Sequence, residues 1–144
     1  MSVGLEKATR LESVLPLLPQ LRDLEELNLG NPAMTDADMH VLQGLPKLHS
    51  LGFMGAPISN EALPVLRTLP SLRILNIVGT KVTDDGLVHL RDLTALEYLG
   101  LKGTVITDTG LEQLKNLTGL TNLNIADTRV TDAGLLHLTG MTRL

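Results

Sequence analysis

The sequence predicts an α/β solenoid, with a parallel sheet on one side and short helices on the other, and three observations carry that prediction. The stretch "GTKVTDDGLVHL" at 79–90 returns as "GTVITDTGLEQL" at 103–114 and as "DTRVTDAGLLHL" at 127–138, each time 24 residues further on. With the first position of each unit set at Leu24, Leu48, Leu72, Leu96 and Leu120, positions 1, 4, 6, 11, 16, 19 and 22 are apolar in all five copies. Within a unit the spacing also changes partway. Positions 4 and 6 alternate, as in a short strand with one buried face, whereas positions 16, 19 and 22 recur every three residues, as in a short helix or 3₁₀ turn. One such unit has nothing to cover its apolar edge, so successive units must stack, with their strands about 4.8 Å apart.

The frame divides the chain in two. Residues 24–144 hold five units of 24 residues and, at Leu144, the start of a sixth. Residues 1–23 keep Leu15, Leu18 and Leu21 in frame while Arg10 and Leu11 break it, so they read as a degenerate N-terminal repeat or cap. No equivalent cap closes the other end. The edge bearing Leu120, Leu123, Ile125, Leu135 and Leu138 is expected to stay open, which implies either further chain past Leu144 or contact with another molecule, self-association included.

Inside each unit the strand leads to a hydroxyl at position 12 (Thr35, Ser59, Thr83, Thr107, Thr131) and then Asp or Asn at position 13 (Asp36, Asn60, Asp84, Asp108, Asp132). Both types suit a helix N-cap, and a carboxylate there also meets the positive end of the helix dipole, worth roughly 0.3–1 kcal/mol. Repulsion along a row of such carboxylates about 5 Å apart is roughly 0.8 kcal/mol in water, so the row needs no metal. A calcium site would need six to eight converging oxygens, which a linear row containing Asn60 does not supply. Gly86, Gly110 and Gly134 at position 15 permit close approach near the helix start. Pro16 and Pro64 fall at position 17, so the second unit's return is expected to start late or run irregularly.

"LRILNIVGTKVTDDGLVHL", at 72–90, resembles a leucine-rich repeat of the bacterial variety with a V-T-D-x-G-L phrase, and is more distantly similar to the repeats of F-box substrate adaptors. The resemblance covers 24–144. It implies a right-handed leucine-rich repeat solenoid with a concave parallel sheet, short helices on the convex side, and a role in protein binding. One departure stands at position 9, where the family carries Asn or Cys and this chain has Thr80, Thr104 and Thr128. Their hydroxyls are expected to continue a hydrogen-bonded ladder that Pro32 and Ala56 cannot join.

Composition narrows function further. Hydrophobic residues make up 43% of the chain, but Phe53 and Tyr98 are its only aromatics, so the core is aliphatic. Acids outnumber bases 16 to 12 with no block of Lys or Arg, which argues against a nucleic-acid partner. No apolar run reaches the roughly 20 residues that span a bilayer, and "VLPLLP" near the start, preceded by charges and broken by prolines, does not read as a signal peptide, so no membrane partner is expected. The absence of cysteine fits a reducing compartment and a cytoplasmic location.

No G-x-S-x-G, H-E-x-x-H or phosphate-loop string occurs. His49 and Ser50 are strand neighbours and point apart. His89 and His137 stand two units apart, too far to share a metal, and with His40 and His49 they read as solvated histidines. "NLT" at 116–118 falls in a repeat turn and reads as a chance match to a glycosylation acceptor. Neither catalysis, a cofactor nor a metal is expected.

Alternation places positions 3, 5 and 7 on the open face of the sheet. There Met54, Ile74, Val78 and Tyr98 form an apolar centre, Gly52 and Gly100 leave gaps beside Asn76, and Arg73, Glu97 and Lys102 form a charged rim. Such a composition marks interaction hot spots. The predicted partner-binding residues are therefore Met54, Arg73, Ile74, Asn76, Val78, Tyr98 and Lys102, in a non-catalytic protein–protein interaction module. The alternative is a substrate-recognition fragment of a larger enzyme or of a ubiquitin-ligase-type adaptor.

Overall fold

The computed structural model describes residues 1–144. Six parallel strands form one sheet in chain order: β1 (Ser2–Gly4), β2 (Glu26–Asn28), β3 (Ser50–Gly52), β4 (Ile74–Asn76), β5 (Tyr98–Gly100) and β6 (Asn122–Asn124). The register advances by one unit at every step, with Leu27 opposite Leu51, Leu51 opposite Leu75, Leu75 opposite Leu99, and Leu99 opposite Leu123. The α/β solenoid that the 24-residue cadence predicts is the fold observed.

Each strand is three residues long because it lies between two tight constraints. Position 1 turns in from the preceding coil, as where the Leu96 amide donates to the Leu93 carbonyl at 3.0 Å. Position 8 turns out again: Gly55, Gly79 and Gly103 sit there at φ +72°, +68° and +69°, a region open to glycine and costly for most residues. Asp127 takes the same place in the last coil at φ 56°.

The return segments pack behind the sheet. The first coil returns through α1 (Leu11–Val14) and a 3₁₀ segment at Leu15–Gln20. The next two return through 3₁₀ segments alone, at Asp36–Leu42 and Asn60–Thr68, and the later coils use α2 (Asp84–Leu87), α3 (Asp108–Leu114) and α4 (Asp132–Leu135), the last followed by a 3₁₀ turn at Leu136–Leu138. Of the two outcomes expected from Pro64, a late start or an irregular return, the structure shows the second. Its return begins at Asn60, directly after Ser59, and adopts 3₁₀ geometry throughout. An i→i+3 pattern accommodates Pro64 by leaving out one donor and avoids the clash of the proline ring with the carbonyl four residues back.

Between sheet and returns lies a single layer of 36 buried apolar residues, mostly Leu, with Phe53 its one aromatic. The layer runs through the N-terminal segment too. The β1 strand pairs with β2 from Ser2 opposite Glu26 to Gly4 opposite Asn28, with Val3 packed against the core and Leu5 buried in it. Residues 1–23 thus hold more of the frame than Leu15, Leu18 and Leu21. At the far end Leu120 and Met141 are buried, Leu123, Ile125, Val130 and Leu138 are half-covered, and Leu135 and Leu136 stand exposed, the latter 70%.

The Thr-Asp pair does more than cap. Each position-12 residue stands at its helix's N-cap, but the residue after it turns to the following coil and holds that coil's position 12 by two bonds. Asp36 accepts from the Ser59 amide at 2.8 Å and its hydroxyl at 2.7 Å. Asp84 does the same for Thr107 at 2.8 and 2.6 Å, and Asp108 for Thr131 at 2.7 and 2.7 Å. Asn60 keeps the clamp with one bond reversed. Its Oδ1 accepts from the Thr83 amide, while its Nδ2 donates to the Thr83 hydroxyl. The first coil carries Glu12 where this residue would stand, and Thr35 instead donates both amide and hydroxyl to Asp38 of its own segment, each at 2.8 Å.

Position 15 explains itself through the clamp. A β-carbon at Gly86, Gly110 or Gly134 would collide with the side-chain oxygen of Asn60, Asp84 or Asp108 reaching over from the coil before.

The position-9 threonines do not build a ladder between coils. Thr80, Thr104 and Thr128 each donate back to a carbonyl of their own coil, those of Ile77, Leu101 and Ile125, at 2.8, 2.6 and 2.7 Å. A hydroxyl on a short side chain closes the local turn because the carbonyl three residues back is nearer than anything in the next coil. The side chain that does cross is Asn31, at position 8 of the first unit. Buried, it donates to the Leu5 and Ala8 carbonyls at 2.9 and 3.0 Å and accepts from the Ala33 amide.

Three outcomes are expected for stability. Asp84→Ala and Thr107→Val should each lose about 1–2 kcal/mol and show a coupling of about 1 kcal/mol in a double-mutant cycle by urea unfolding, whereas Asp36→Ala and Thr107→Val should add. The amide and hydroxyl of Thr131 hold Asp108 below its ordinary pKa of 3.8, so its contribution is full above that value and fades as pH falls through the lowered one. The urea-midpoint gap between wild type and Asp108→Ala should be flat above about pH 5 and should narrow below about pH 4. Asp127→Gly, which relieves the positive φ, should raise the unfolding free energy by about 0.5–1 kcal/mol. A fall in thermal midpoint would contradict it.

Candidate functional site

The concave face is a sheet surface one side chain deep, and its form follows from positions 3 and 5. Position 5 alternates strictly along the whole chain: Gly4, Asn28, Gly52, Asn76, Gly100, Asn124. Each of the three asparagines accepts through Oδ1 from the amide two residues on, which bends the chain out of the strand; the recipients are Gly30, Val78 and Ala126, at 3.0–3.2 Å. The bound carboxamide leans over the next strand's glycine. A β-carbon at Gly52 would sit 3.3 Å from Asn28 Oδ1, and one at Gly100 would sit 3.0 Å from Asn76 Oδ1 and 3.2 Å from the Tyr98 hydroxyl.

The glycines are therefore not gaps. Asn28 fills the space at Gly52, while Asn76 and the Tyr98 ring cover Gly100, which is buried. Tyr98 itself is half-buried, lying along its own strand rather than standing out from it. The exposed apolar side chain beside it is Ile74, its register partner on β4, 41% accessible.

A trough of about 720 Å³ runs along this face, with Glu26, Ser50, Ile74 and Tyr98 in one row at position 3 and Asn28 and Asn76 behind them. Of the predicted residues, Ile74, Asn76 and Tyr98 line it. Arg73 lies on the rim, in a second depression of about 530 Å³ with Lys47 and His49, and donates to Glu97 at 2.8 Å. Met54, Val78 and Lys102 follow their strands along the opposite border and line neither hollow. Met54 is 54% exposed there, and Lys102 pairs with Asp127 at 3.4 Å. The trough extends further toward β1 and β2 than the sequence reading places the site, taking in Glu6 and Glu26. The signal for that part was Glu26, which shares position 3 with Ile74 and Tyr98.

The histidines differ from one another. His40 is exposed and its Nδ1 meets the Ala37 carbonyl at 2.8 Å, whereas His49, His89 and His137 are half-buried. His49 Nδ1 meets the Glu25 carbonyl at 2.8 Å, and His89 Nδ1 is buried without a partner. No three His, Asp or Glu side chains converge as metal ligands would, and no helix is long and apolar enough to cross a membrane.

Parallel strands at a 24-residue step and a single aliphatic layer behind them are the leucine-rich repeat fold. A family model described as "Leucine Rich repeat" matches residues 68–90. Among solved structures, an internalin of Listeria monocytogenes is similar at 25% identity with a TM-score of 0.76, over 90% of this chain and 36% of that one. Internalin C2 of the same organism is similar at 25% identity and 0.73, over 94% of this chain and 55% of that one. The chain thus spans about a third to a half of the length of these two proteins. The tropomodulin C-terminal domain of Caenorhabditis elegans has the same fold at 16% identity, with a TM-score of 0.73 over 94% of this chain and 93% of that one. No curated protein matches the sequence significantly.

Proposed function

We propose that the chain is a non-catalytic protein-interaction module that holds its partner on the concave sheet face. The observation that carries this is the trough. It is an open hollow of about 720 Å³ whose one well-exposed aliphatic side chain, Ile74, stands opposite Tyr98 in the strand register. An apolar anchor point within a polar surround is the composition of a binding hot spot. The carboxylates in the hollow are strung across several strands, and Glu97 is already engaged by Arg73, an arrangement suited to contact rather than to proton transfer. The lack of cysteine favours a reducing, cytoplasmic setting.

A second reading is favoured by the last coil, where Leu135 and Leu136 remain exposed. That edge suits contact with another molecule, self-association included. Light scattering up to about 100 µM would show the latter as a rise above 15.5 kDa, and a constant monomer mass would remove it.

A photo-crosslinking residue at position 98 should capture a partner that the same group at Pro64, on the opposite side, does not. Capture from position 64 alone would refute binding on the concave face.

A further inference from the structure

We propose that the trough takes a cationic segment of a protein partner, an extended stretch with Lys or Arg at the Glu6–Glu26 end and an aliphatic or aromatic side chain three to four residues away against Ile74 and Tyr98. This rests on the concave-face reading and narrows it to one partner chemistry.

The charge in the trough is one-sided. Three carboxylates line it, Glu6, Glu26 and Glu97, and no Lys, Arg or His does. Glu97 is matched by Arg73 on the rim, while Glu6 and Glu26 belong to no ion pair. Nearby acids outside the trough are matched: Glu25 by the amino terminus, Asp23 by Lys47 and Asp127 by Lys102. Unbalanced carboxylates in a hollow focus their field into it and draw in a complementary charge.

The floor adds a second feature, independent of charge. Asn28 and Asn76 use Oδ1 to accept from Gly30 and Val78, which fixes their orientation, and neither Nδ2 has a partner in the chain. Two pre-oriented donors therefore face the hollow, suited to the main-chain carbonyls of an extended peptide.

Spacing links the two ends. Glu26, Ser50, Ile74 and Tyr98 are register partners on four consecutive strands. At about 4.8 Å per strand, Ile74 lies about 10 Å and Tyr98 about 14 Å from Glu26, a span that three to four extended residues cover at about 3.3 Å each. A cation over Glu26 and Glu6 and an apolar side chain on Ile74 and Tyr98 are thus reachable by one short segment.

The test is a random twelve-residue peptide library displayed on phage and selected against the full chain, with titration of the enriched peptides by fluorescence anisotropy. Enriched sequences should carry Lys or Arg three to four residues from Leu, Ile, Phe or Tyr. Their affinity should fall at least tenfold in the Glu6→Lys/Glu26→Lys variant and on raising NaCl from 50 to 500 mM. Glu61→Lys, on the opposite side of the coil, should leave affinity unchanged. Circular dichroism checks that the charge-reversed protein folds, and a peptide with Lys or Arg changed to Glu should regain binding to it. Acidic or uncharged peptides that bind and are lost with Tyr98→Ala would overturn the cationic assignment and leave the concave-face reading standing. Peptides indifferent to both Glu26→Lys and Tyr98→Ala would overturn both. Failure to enrich any sequence would count against the cationic segment.

Discussion

Every inner coil of this chain owns half of two interfaces and no interior of its own. The aliphatic layer is one side chain thick, so Leu75 or Leu99 is dry only because a coil lies on each side of it. That constraint ranks the other interactions. Strand hydrogen bonds hold the front of each interface, as where the Ile77 amide donates to the Gly100 carbonyl at 2.9 Å, and the aliphatic layer fills the middle. The back is held by the position-13 clamp, which is charge-assisted in three of four instances. With front and back pinned, a coil has little freedom to slip or tilt, and the sheet surface inherits that rigidity.

The fold was legible because burial acts on every coil alike. Residues such as Leu72, Leu75, Ile77 and Val82 recur without exception, and their two spacings separate strand from return. What escaped was direction. Asp84 and Thr107 stand 23 residues apart, so a reading confined to one unit sees Asp84 only as a cap for its own helix. Thr80 posed the opposite problem: the family pattern suggests a side chain that crosses between coils, while the reach of a hydroxyl keeps it at home. Val3 and Leu5 hold the frame too, but sequence hides them because the rest of that first unit, at Arg10 and Leu11, departs from the pattern.

The site was legible only in part, and for a different reason. Period-2 alternation assigns Ile74 and Asn76 to the open face, and that needs no tertiary knowledge. Whether Tyr98 stands out or lies down depends on what is missing two residues later, at Gly100, and on the amide reaching over from Asn76. The ion pairs are likewise matters of neighbouring coils, so Arg73 reads from sequence as one charge of the rim and in the structure as the partner of Glu97. Surface chemistry on a solenoid is written across coils, whereas the core is written within them.

The alternation of asparagine and glycine at position 5 gives the concave surface twice the period of the backbone. Arrays of this kind lengthen and shorten by duplication or loss of whole coils, and the hydrophobic frame would accept a single coil either way. On the sheet surface side chains would have to shift. One coil gained or lost sets two carboxamides side by side, the second with a β-carbon where the first needs room, or else leaves two bare backbones adjacent.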